Sequence, residues 1–176
     1  MLYDFLGIDN PSSPLYGRYM EKIVLNPLTR EQSIDFLEKG FREAEITFNR
    51  ELLEKAVDKL DGIIGWLSYF GLISIEEGLT EKTIERVLER ASKLALQELY
   101  NFIRLKGSKR YIEIMRIVKN EATWSEIKRY LELKTGEKIY SSALSRLLKN
   151  LINAGFIEQR NKKYFIPDPV LRYAIT

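Results

Sequence analysis

Between residues 29 and 105, apolar positions recur at helical spacing. "TREQ" at 29–32 carries both halves of a capping box: the Thr29 hydroxyl can accept from the Gln32 N–H while the Gln32 side chain reaches back to the Thr29 N–H. The helix that follows puts Ile34, Leu37 and Phe41 on one face. Asn49 suits the N-cap of a second helix, with Leu52, Leu53, Ala56, Val57 and Leu60 inside and Asp61 and Gly62 as its stop. A third, very apolar helix over 64–73 is expected at the buried centre of the bundle. Thr80 caps a long fourth helix with an apolar stripe of Ile84, Val87, Leu88, Ala91, Leu94, Ala95, Leu99, Phe102 and Ile103. Upstream lie an apolar cluster (Leu2, Tyr3, Phe5, Leu6, Ile8), a loop rich in Pro, Ser and Asn, and a β-prone run at 19–25. A strand at 19–25 has no evident partner before residue 156. It is expected to pack back on the helices or to be buried in a homodimer formed through the N-terminal segment.

The pattern changes after "KGSK" at 106–109, which reads as a linker. A helix over 109–120 offers Tyr111, Ile112, Met115 and Val118 to a core. "TWSE" at 123–126 is a second capping box, opening a helix with Ile127, Tyr130, Leu131 and Leu133 inside. After "KTGEK" a third helix starts near Ser141 and ends at Gly155 in the C′ position. "FIEQR" and "KYFIP" then form two strands around a tip of Arg160, Asn161 and Lys162. Three helices followed by a β-hairpin is the order of a winged helix-turn-helix. The fold class is mainly α, divided at 1–26, 27–106 and 107–176.

The helix from Ser141 carries the candidate chemistry. On a 100° wheel Leu144, Leu147, Leu148 and Leu151 cluster on a core face. Ser142, Arg146, Lys149 and Asn153 lie opposite, flanked by Ser145 and Asn150. Arg can bridge guanine, Asn can bridge adenine, and Ser and Lys can hold phosphates. The tip residues Arg160, Lys162 and Lys163 are placed to reach adjacent backbone.

Charge sharpens this picture. The formal net charge of +3 conceals an asymmetry: residues 1–107 hold 14 Lys/Arg against 18 Asp/Glu, and residues 108–163 hold 13 against 6. A basic half on an acidic half is the footprint of a nucleic-acid-binding module, and double-stranded DNA is the expected partner. Every surface helix has a polar face, however, and winged helices also serve as protein-contact modules, so both readings stay open at this point. The chain has no Cys and no His, which excludes thiol and imidazole nucleophiles and the commonest metal ligands. Carboxylate pairs such as Glu76 and Glu77 read as solvated charges. No apolar run approaches the roughly 20 residues of a membrane helix, and the N-terminus lacks the n- and h-regions of a signal peptide. The expected setting is cytoplasmic, without membrane contact.

The run "LTREQSIDFLEKGFREAEI" with "LLEKAVDKLDGIIGWLSYFG" resembles the helical lid of archaeal ATPases of the STAND branch of AAA-type P-loop NTPases. "TWSEIKRYLELKTGEKIYSSALSRLLKNLINAGFIEQ" and "KKYFIPDPVLRYAI" are similar to their C-terminal winged helix, and "SSPLYGRYMEKIVLNPLTREQ" to the end of their ATPase core. The resemblance covers essentially the whole chain and implies a C-terminal portion: the last core strand, a lid, then a winged helix. A P-loop and Walker B strand would lie upstream in such a protein. This sequence has no GxxxxGK[ST], so the expectation is a non-enzymatic chain with no cofactor. ATP would enter only in a complete family member or with a core on another chain. Where the family's lid carries Gly-x-Pro near the adenine, this chain has Gly62, Ile63 and Ile64. Gly62 and Ile64, with Arg18 of "LYGR", are the vestigial nucleotide-contact positions that the resemblance implies.

Overall fold

The computed structural model describes residues 11, 12, 14, 16 and 26–175. The expected strand at 19–25, the apolar cluster at 2–8 and Arg18 lie outside the described residues, as does any homodimer contact made through them.

Four helices form the first unit: α1 (Arg30–Glu43), α2 (Arg50–Leu60), α3 (Ile64–Glu77) and α4 (Glu81–Lys106). The sequence starts them where its caps stand. Gln32 donates its backbone N–H to the Thr29 hydroxyl at 3.3 Å, and Thr29 donates to the Gln32 side chain at 2.9 Å. Asn49 Oδ1 accepts from the Glu51 N–H at 2.9 Å, and the Thr80 hydroxyl from the Thr83 N–H at 3.1 Å. Gly107 closes α4 in the left-handed region, with φ at 67°. Ile34, Leu37 and Phe41 of α1 meet Leu53, Ala56, Val57 and Leu60 of α2 in the core. The two helices are also joined through Glu38, whose nearly buried carboxylate receives Arg42 at 2.7 Å and Arg50 at 2.9 Å. A carboxylate drawn from water needs such paired donors.

Helix α3 departs from expectation. It is not the buried centre: only Leu67, Phe70 and Ser74 are buried, while Ile64, Leu72 and Ile75 are exposed, Leu72 at 61%. An all-round apolar helix carries no periodic signal for which face turns inward, and here α3 lies to one side, against α1 and α4. Leu94 on α4 is likewise 50% exposed, on the far side of the stripe that buries Ala91, Ala95 and Leu99.

The second unit runs α5 (Arg110–Val118), β1 (Ala122–Thr123), α6 (Trp124–Thr135), α7 (Ser141–Asn153), β2 (Glu158–Arg160), β3 (Lys163–Phe165) and α8 (Pro169–Ala174). The sheet order is β1-β3-β2, all antiparallel, with Tyr164 opposite both Ala122 and Gln159. Asn161 and Lys162 take φ of 51° and 65°, the two left-handed positions of a two-residue hairpin turn. Ile114, not the half-buried Ile112, completes the α5 core face with Tyr111, Met115 and Val118. Leu133 is outside, 77% exposed.

Buried side chains of the two units form one connected cluster. The Phe102 ring from the end of α4 meets Tyr111 and Phe156 edge-on, each at 5.1 Å between centroids. Helix α8 returns to lie on α4 and α2, burying Val170 and Leu171. Trp66 Nε1 donates to both oxygens of Asp168, at 3.0 and 3.2 Å, and Asp168 also accepts the Val170 N–H that starts α8. Lys119 Nζ donates to the Ile175 carbonyl at 2.6 Å.

Candidate nucleic-acid interface

Helix α7 owes its position to its leucines. Leu144, Leu147, Leu148 and Leu151 are all buried, as the wheel requires. The turn leading into it is held by Ile139, buried as a side chain, whose N–H donates to Glu132 Oε1 of α6 at 3.0 Å. Helix α6 is set by the Thr123–Glu126 capping box. The Thr123 N–H and hydroxyl hold the Glu126 carboxyl below its usual range. At the other end Gly155, with φ at 79°, lets the chain leave α7 and enter the hairpin.

The opposite face of α7 presents Ser142, Ser145, Arg146, Lys149 and Asn153, all exposed. No acidic residue occurs on this helix. Asn150 is not part of the exposed set: it is half-buried and donates its side-chain N–H to the Tyr111 hydroxyl at 2.8 Å. Its spacing alone did not separate it from its neighbours, because it sits on the border between the two faces. Tyr140, the residue before α7, is 74% exposed and was not singled out in the sequence. Its only signal is an aromatic residue outside the leucine stripe at the helix start.

On the hairpin, Arg160, Lys162 and Lys163 are exposed. The Arg160 guanidinium lies over the Phe165 ring at 5.1 Å, and Lys163 Nζ is 3.7 Å from Glu121. Both partners of that ion pair are more than half exposed, so the pair is readily exchanged for a phosphate.

The positions of the lid motif fall at the α2–α3 turn. Gly62 is buried; its carbonyl accepts the Leu28 N–H at 2.9 Å. Ile64 is exposed at the first position of α3. An apolar groove of about 500 Å³ runs between α1 and α3, lined by Phe36, Gly40, Gly71, Leu72 and Ile75. Among the described residues no cluster of acidic side chains is placed to hold a metal ion, and no helix is long and apolar enough to cross a membrane.

The α5–α6–α7 core, the antiparallel sheet and its hairpin define a winged helix-turn-helix domain, joined here to a four-helix bundle. Residues 105–167 match the family model of the C-terminal winged helix-turn-helix domain of MCM proteins. The chain as a whole is similar to a solved Walker-type ATPase of Pyrococcus abyssi: 37% identity over 99% of this chain, with a TM-score of 0.81. This chain spans 49% of that protein's length. No curated protein matches the sequence. The resemblance to archaeal ATPases drawn from the lid and winged-helix motifs is therefore supported by sequence and fold together.

Proposed function

We propose that this chain is a non-catalytic lid and winged-helix module of an archaeal ATPase that binds duplex DNA through α7 and the hairpin. The observation that carries the reading is the exposed, acid-free face of α7, with Ser142, Ser145, Arg146, Lys149 and Asn153 set opposite four buried leucines. The exposed hairpin cations Arg160, Lys162 and Lys163 extend it, and the basic balance of residues 108–163 supplies the field that draws a polyanion. Side chains from α7 would enter the major groove while the hairpin grips the neighbouring backbone. Fluorescence anisotropy on a labelled duplex tests this. Binding is expected to weaken steeply with salt, and Arg146→Ala with Lys149→Ala is expected to flatten the log–log salt slope by about 2, one per lost contact. A salt-indifferent association, or one unchanged in the double variant, refutes the DNA reading.

A second reading is favoured by the exposed groove between α1 and α3. No P-loop sequence occurs in this chain, and the Pyrococcus relative is about twice as long. On this reading the groove is where a separate P-loop core docks to complete an ATPase. Mixing the chain with such a core is expected to raise ATP turnover, and Leu72→Asp, which puts a charge in the groove, is expected to abolish the gain. Inert mixtures would remove this reading.

A further inference from the structure

A second basic surface lies away from α7, at the seam between the bundle and the winged helix. It is a cleft of about 670 Å³ walled by Lys59 of α2, Lys119 and Asn120 at the end of α5, and Arg172 and Tyr173 of α8. Three separate elements thus bring three cations to one concavity. Its acidic wall residue, Asp58, already accepts from Arg30 Nε at 3.0 Å. Lys119 is half-buried and tethered to the Ile175 carbonyl, an uncharged acceptor. Tyr173 is exposed beside these cations.

This cleft is not isolated from the hairpin. Asn120 lines it, and the next residue, Glu121, lines a smaller groove of about 260 Å³ with Arg160, Asn161 and Lys163. Consecutive Cα atoms are about 3.8 Å apart, so the 120–121 turn contributes to the wall of both concavities. The hairpin cations and the cleft cations thus flank this turn, a track interrupted by Glu121, which stands 3.7 Å from Lys163. Such a track suits a run of phosphates better than a single anion, because its cations are distributed along a path rather than gathered around one point.

We infer that the seam cleft of Lys59, Lys119 and Arg172 is a second phosphate-binding site that carries the DNA backbone from the hairpin onto the bundle. The inference rests on the DNA reading above and extends it: the bundle, acidic as a whole, contributes Lys59 to the DNA footprint. A duplex that ends at the hairpin engages only α7 and the hairpin. A duplex prolonged by one helical turn, about 10 bp, also reaches the cleft.

The test compares a duplex of about 12 bp with one of about 24 bp, using the full chain and titrating salt. For the native sequence the log–log salt slope is expected to be steeper by about 2 on the longer duplex, one for each of the exposed cations Lys59 and Arg172, while Lys119 stays on the Ile175 carbonyl. Lys59→Ala with Arg172→Ala is expected to remove that increment and leave binding to the short duplex unchanged. Both side chains are exposed, and circular dichroism of the variant checks that the fold is retained. The native length comparison stands by itself if the variant is impaired. Equal slopes on the two duplexes, or an increment that survives the double substitution, would overturn the second site while leaving the α7 reading in place. Absence of binding to either duplex would overturn both.

Discussion

Phe102→Ala is expected to destabilise the chain by about 4 kcal/mol, in the range of buried Phe→Ala substitutions. Phe102 is nearly buried, and its ring meets Tyr111 at an interplanar angle of 69° and Phe156 at 62°. Edge-on pairs of this kind add about 0.5–1.5 kcal/mol each beyond the burial of their area. The cavity opens where the end of α4, the start of α5 and the turn after α7 converge, so little can collapse into it. Tyr111 would also lose its lateral support, and with it the footing of the Asn150 side chain that donates to its hydroxyl. Urea unfolding measures the effect, with Leu94→Ala on the same helix as control; that side chain is 50% exposed and its loss should stay within about 0.5 kcal/mol. A change below about 1 kcal/mol for Phe102→Ala would show that the aromatic triad is not what joins the two units. Splitting of the transition into two steps would show that it is what makes them unfold together.

That junction is also where sequence reading was weakest. The wheel placed Leu144, Leu147, Leu148 and Leu151 correctly because α7 has one apolar stripe and a polar remainder, and only one orientation satisfies it. The capping boxes at Thr29 and Thr123 were legible because both reciprocal partners lie within four residues of each other. Helix α3 was misplaced because its apolar residues surround it, leaving the choice of buried face to its neighbours. Strand β1 is two residues long, too short for any alternation to show, and it exists only because β3 offers it an edge. Helix α8 was announced only by Asp168 ahead of Pro169, a cap and a first-turn proline. Its return to α4 and α2 rests on contacts far apart in the chain, and its start is tied to α3 by the Trp66–Asp168 bond across 102 residues. The candidate DNA face, by contrast, is one continuous stretch of α7 and the hairpin, so spacing assembled most of it, failing only at its borders, with half-buried Asn150 and exposed Tyr140. The seam cleft draws on α2, α5 and α8 and was invisible without the fold.

The Gly62 position, which the resemblance connects with a nucleotide contact, has a requirement of its own. A Cβ built there would stand 1.9 Å from the Leu28 carbonyl oxygen, 2.6 Å from its nitrogen and 2.7 Å from its carbonyl carbon. All three are backbone atoms, so no rotamer change relieves the overlap. The Leu28 N–H bonded to the Gly62 carbonyl at 2.9 Å must separate, and with it the half-buried Leu28 side chain that packs on the core. Gly62→Ala is therefore expected to cost about 3 kcal/mol. Gly71→Ala makes the contrasting case: it lies inside α3 with nothing within 4 Å of its Cβ position, and alanine there should stabilise the helix by about 0.5–1 kcal/mol. Both are read by thermal or urea unfolding in buffer free of nucleotide. If Gly62→Ala is tolerated within about 1 kcal/mol in that buffer, steric approach of Leu28 is not the reason for glycine, and a bound ligand becomes the better explanation. If the loss appears in full without nucleotide, glycine at this turn follows from the packing of the bundle alone and carries no information about ATP.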